Sequence, residues 1–155
     1  MKITLGIAIA AIALTACSRP AAPPTASTPP PAAVAAFTIN PLTEADNTIQ
    51  GCTTSLSRRG DTSGEIFLED GVDSGAKGFI RIDGALINVG LVDLTESETG
   101  ATRTFADAAH TVRIVETLTV GQAHEESDSV DMSGTLAVTY RGATQNFPVE
   151  GGTAC

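Results

Sequence analysis

The chain has 155 residues, 18 acidic and 9 basic, for a formal net charge of −9 at pH 7. That length suits one domain with an appendage and argues against two full cores. Acids outnumber bases two to one, which disfavours a phosphate-binding surface, so no nucleic-acid partner is expected. A single long apolar run, at the N-terminus, argues against a polytopic membrane protein.

Lys2 opens the chain as a lone positive charge, and Ile3 to Leu14 (ITLGIAIAAIAL) form an uncharged apolar run of 12 residues. That is signal-peptide length, short of the ~20 residues a transmembrane helix needs. Leu14-Thr15-Ala16-Cys17 comes next. The tetrapeptide resembles the lipobox of bacterial lipoproteins, Leu–small–small–Cys. The resemblance implies a signal peptide over residues 1–16 and a diacylglyceryl-modified Cys17 that can take a further acyl chain such as palmitate. Each buried CH₂ contributes ~0.8 kcal/mol, so two or three chains hold firmly where one does not. Ser18 stands where an Asp would retain such a protein in the inner membrane, which implies the outer membrane, facing the periplasm. Loss of Lys2 leaves 8 basic against 18 acidic residues, a mature charge of −10. The mean hydropathy of +0.13 owes much to the discarded segment.

Residues 18–36 (SRPAAPPTASTPPPAAVAA) hold six of the eight prolines and one charge, Arg19. Proline fixes φ and removes donors, so neither helix nor sheet propagates there. Extended spacing of ~3.1 Å per residue gives a reach of up to ~60 Å, a stalk between Cys17 and the domain that starts at Phe37. Pro20-Ala21-Ala22-Pro23 has P-x-x-P form, but composition alone produces such runs.

Residues 37–155 read as one β-rich domain, predicted as a small antiparallel β-sandwich or β-barrel. Phe37 and Ile39 suggest a short strand, and residues 43–47 a helical turn. Glu65 to Glu69 forms a strand before an Asp70-Gly71 turn. Ile80 and Ile82 alternate with Arg81 and Asp83, and Asp83-Gly84 is a strong hairpin signal. Ala85, Ile87, Val89 and Leu91 return in phase, then Val92 and Leu94 fall out of it, as at a β-bulge. Val112, Ile114, Leu118 and Val120 share a face that Glu116 interrupts, so this strand is expected to bulge or lie at an edge. Val130 to Tyr140 alternates cleanly, Arg141-Gly142 turns the chain, and Phe147 and Val149 point inward. Pro148 points outward, which suits an edge or terminal strand. The tally is six to eight short strands, with no sustained helical spacing.

With Cys17 lipidated, Cys52 and Cys155 remain, and an even pair in an exported domain predicts one disulfide. A loop of about 100 residues is worth ~4.7 kcal/mol in the chain-entropy model. The alternative, a reactive thiol or metal ligand at Cys52, has no nearby His and no C-x-x-C spacing.

Chemical motifs are sparse. Asp61-Thr62-Ser63-Gly64 lacks the glycine and the second copy that an aspartic-protease loop requires. Arg59-Gly60-Asp61 is explained by an exposed turn. The acidic stretch from His124 to Asp131 offers oxygens for Ca²⁺ but is out of register for an EF-hand, and a solvated hairpin loop accounts for it. Asp70, Asp73 and Asp83 invite the same thought with less support. His110 and His124 are the only histidines, and no H-E-x-x-H, G-x-S-x-G or glycine-rich phosphate loop is present. No cofactor or metal is predicted.

The architecture resembles that of the lipoprotein lysozyme-inhibitor family, which places a small disulfide-linked β-barrel behind a lipobox. Around Cys52 this chain reads Ile49-Gln50-Gly51-Cys52, without that family's tyrosine–cysteine motif, so the activity is not carried over. The function expected is a non-enzymatic, lipid-anchored envelope domain that binds or supports, with a cationic protein as a possible partner. The competing expectation is a small hydrolase or metal-binding domain with His110 or His124 beside carboxylates in a pocket.

Overall fold

The computed structural model describes residues 35–71 and 75–155. The expected signal segment, Cys17, most of the proline-rich stretch and Asp73 lie outside them. Among the described residues nine strands occur in order: β1 Ile39–Asn40, β2 Thr53–Arg58, β3 Glu65–Asp70, β4 Lys77–Ile82, β5 Ala85–Ser97, β6 Gly100–Ala106, β7 Val112–His124, β8 Ser129–Tyr140 and β9 Ala143–Ala154.

From β2 to β9 each strand pairs antiparallel with the next, and β9 returns to β2 from Thr53↔Ala154 to Arg58↔Val149. The result is a closed eight-stranded up-and-down barrel, with β1 added beside the end of β4. Closure chooses between the two expected architectures and removes most of the sheet edge. The connections alternate between two ends. Turns 59–64, 83–84, 107–111 and 141–142 lie at one end. Gly71, Gly75 and Ala76 and the loops 98–99 and 125–128 lie at the other, with Cys52 and Cys155.

Period-two alternation builds the core. Leu56, Phe67, Ile80, Val89, Phe105, Ile114, Leu136, Val138 and Val149 are all at most 2% exposed. Phe67 and Phe105 meet edge to face across the lumen, ring centroids 5.3 Å apart. Gly78 makes room for this pair: a Cβ there would lie 2.5 Å from Phe67 Cζ and 2.8 Å from Val89 Cγ2. The hairpin at Asp83-Gly84 has both residues at positive φ, 51° and 81°, as a two-residue turn of matching twist requires.

The first turn-bearing end is covered by residues 37–46. Phe37 packs edge to face on Tyr140 at 5.7 Å, and the Gln145 amide donates to the Phe37 carbonyl at 2.6 Å. Asp46 pins this segment. It accepts from Thr43 N–H at 2.8 Å and from Arg81 Nη2 at 2.5 Å, while Arg81 Nη1 also reaches the Gly84 carbonyl. These bonds to the charged form, the Thr43 amide first, hold the Asp46 carboxyl below its usual range.

Three expectations need correction. The strand containing Glu116 is not an edge: β7 pairs with β6 and β8, Glu116 stays inward, and the bulge falls later, between Val120 and Ala123. The final strand is also interior. Pro148 is tolerated because β2 ends opposite Val149, and only the Arg59 N–H approaches its carbonyl. The strands are more numerous and longer than expected, because β2 (TTSLSR) and β6 (GATRTFA) carry too few apolar residues to read as strands, and β5 and β7 run for 13 residues each.

Candidate functional site

The barrel interior carries one charged layer. Glu69 on β3 lies two residues after Phe67, so it faces the lumen on the disulfide side of the aromatic pair. Arg103 on β6 and Glu116 on β7 are register partners on the same inner face. Arg103 Nη1 donates to Glu69 Oε2 at 3.2 Å and to Glu116 Oε1 at 3.1 Å. The two carboxylates come from strands that are not neighbours, so the guanidinium bridges the lumen. Glu69 and Glu116 are fully buried and Arg103 is 7% exposed.

Two acids facing one base leave an excess negative charge in a medium that solvates it poorly. Burial first, then the neighbouring Glu116, push the Glu69 carboxyl up to about 8, against the pull of Arg103. Burial also raises Glu116, with Arg103 opposing. At neutral pH the pair of carboxyls therefore favours holding one proton between them, which cancels the excess charge. Glu69 Oε1, Arg103 Nε and Glu116 Oε2 are buried without a hydrogen-bond partner. Such a layer costs stability and constrains the lumen polar at this level.

Above this layer, towards the disulfide, lies a half-open cavity of about 320 Å³. Arg103 forms its floor, Leu118, Val120, Met132 and Ala101 give apolar wall, and Glu96 and Ser97 stand at its rim. β5 runs past the end of β4 beyond Gly90 and β7 runs past the end of β6 beyond Thr119, so the wall is incomplete on this side. An apolar cup with a few convergent polar groups in the mouth of a barrel is a common form of small-molecule site.

Sequence reasoning did not single out Arg103, Glu69 or Glu116 as a site. The available signal was phase: each sits on the apolar side of its strand's alternation, and they comprise two acids and one base. That β3, β6 and β7 bring them together is a property of closure.

The expected site residues fall elsewhere. Cys17 is outside the described residues. Cys52 and Cys155 are disulfide-bonded, Cα atoms 4.0 Å apart, and join the start of β2 to the end of β9. His110 is exposed in the turn before β7, and His124 is exposed at its far end, 3.1 Å from Asp131 Oδ1. Neither lines the cavity, so the pairing of histidine and carboxylates in a pocket is not formed. The acidic stretch folds as a single 3₁₀ turn, Glu125–Ser127, between β7 and β8. Among the described residues no three His, Cys, Asp or Glu side chains are grouped to hold a metal ion. Arg59-Gly60-Asp61 forms the exposed β2–β3 turn, its Gly60 N–H held by Glu150 Oε1 at 3.0 Å. Comparison with protein-family models, with curated proteins and with solved structures returns no match.

Proposed function

We propose that this chain is a lipid-anchored protein of the bacterial envelope that acts by binding, holding a small amphiphilic molecule in the mouth of its barrel. The observation that carries the binding half is the cavity of about 320 Å³, apolar along Leu118, Val120 and Met132 and polar at Arg103, Glu96 and Ser97. Its volume lies at the lower end of the ~300–1,000 Å³ common for ligand sites. The envelope half rests on Leu14-Thr15-Ala16-Cys17, with the Pro/Ala-rich residues 18–36 as stalk, and the Cys52–Cys155 bond suits an oxidising compartment. Ser18 favours the outer membrane.

The chain contains no tryptophan, so one placed at Val120, an exposed strand position on the cavity wall, is a unique probe and also fills the cup. The neutral fluorophore N-phenyl-1-naphthylamine should bind the parent saturably, one per chain. Val120→Trp should weaken that binding at least tenfold at an unchanged melting temperature. A parent that shows no saturable binding, or a variant that binds equally well, removes the cavity reading.

A further inference from the structure

We propose that the outer edge of β5 beyond Leu91 is a docking edge, to which a basic extended segment of a partner protein adds as a further strand. This goes beyond the cavity reading and does not depend on it. β4 leaves β5 at Lys77↔Gly90, and one more bond, from the Leu91 N–H to the Ala76 carbonyl at 3.0 Å, ends the contact. β5 nevertheless continues to Ser97, held only on its β6 side. No described residue pairs with its other side from Val92 to Ser97, so alternate N–H and C=O groups there face outward. An edge of this kind templates another strand unless something blocks it.

Lysine and proline, two common blocks, are missing from residues 92–98 (VDLTESE), and the bulge between Leu91 and Asp93 precedes a regular run from Asp93 to Ser97. What stands there is charge of one sign: Asp93, Glu96 and Glu98, all exposed. Two copies pairing through this edge would set acid against acid, which disfavours self-association. A basic strand meets the opposite condition, and the chain's net charge of −9 steers it in. The edge also offers something to read. Val92 is 58% exposed, and a hollow of about 140 Å³ lies along Leu91, Val92, Asp93 and Leu94. An added strand alternates its side chains between faces, so one set can enter this hollow while basic residues meet the carboxylates.

The test titrates the full mature chain, purified from its host, with acetyl-(Lys-Val)₄-amide by calorimetry. Two controls are acetyl-(Glu-Val)₄-amide and the basic peptide N-methylated at alternate residues, which keeps its charges but cannot form a ladder. The unmodified basic peptide should bind at least tenfold more tightly than either. It should also slow amide exchange at residues 92–97. The double reversal D93K/E98K, which leaves Glu96 at the cavity rim untouched, should lose at least tenfold of that affinity. Should the reversed chain fail to fold, the N-methylated peptide still decides the matter on the parent. Equal binding of that peptide, no binding of the basic peptide, protection at some other strand, or a dimer that the peptide leaves intact would each overturn the proposal. N-phenylnaphthylamine binding at the cavity is read separately, so either reading can fail alone.

Discussion

Glu69 and Glu116 reach the same nitrogen: Arg103 Nη1 lies 3.2 Å from an oxygen of the first and 3.1 Å from an oxygen of the second. One guanidinium thus ties β3 to β6 and β7 through the middle of the barrel. Loss of the Arg103 charge would leave both carboxyls buried without a cation.

Replacing Arg103 by Met leaves two carboxyls buried with no cation. Breaking a buried pair by removing one partner costs about 3–5 kcal/mol. Urea denaturation of Arg103→Met should show a loss of that order. The triple variant R103M/E69L/E116L, which removes the whole layer, should recover most of it. Equal stabilities for the parent and Arg103→Met would mean that the layer carries no such strain.

The pH dependence comes from the same cluster. Glu69 titrates at about 8 in the fold, against 4.5 for an ordinary glutamate, so the folded chain binds the extra proton between those values. Its contribution is fully present below pH 4.5 and is lost as pH rises towards 8. Asp46 acts in the opposite sense: its lowered carboxyl favours the fold above the ordinary value of 3.8, and that contribution is lost as pH falls through its folded pKa. The melting temperature, followed by circular dichroism, should therefore peak at mildly acidic pH. Glu69→Gln should flatten the decline on the alkaline side. A decline left unchanged in Glu69→Gln would assign it to other groups.

The disulfide spans a sequence separation of 103 and seals the seam between β2 and β9. Removing a native disulfide from a small exported domain typically costs about 2–5 kcal/mol. Cys155→Ser should lower stability within that range in denaturant titrations. Hydrogen exchange should rise first at residues 53–55 and 152–154, where the seam ends.

Acylation makes its own prediction. Cys17→Ser expressed in the native host should move the protein from the membrane fraction to the soluble one, and mass spectrometry of the parent should find diacylglyceryl on Cys17. A Cys17→Ser chain that stays with the membrane would refute anchoring through this sulfur.

Local pattern carried a good part of the fold. The alternations through 130–140 and 80–91 named the inward residues, the Asp83-Gly84 turn and the phase slip that becomes the Leu91/Asp93 bulge. It was enough for all-β, and the cysteine count was enough for the disulfide, because period-two patterning and thiol pairing are short-range or combinatorial facts. Three things were decided only by tertiary structure. Closure depends on β9 meeting β2, a pairing across about a hundred residues that no local window contains. The inward Glu116 read as a flaw until Arg103 and Glu69 arrived from other strands to compensate it. The cavity and the open flank of β5 exist because neighbouring strands differ in length, and a strand's length matters only once it is set beside its partners.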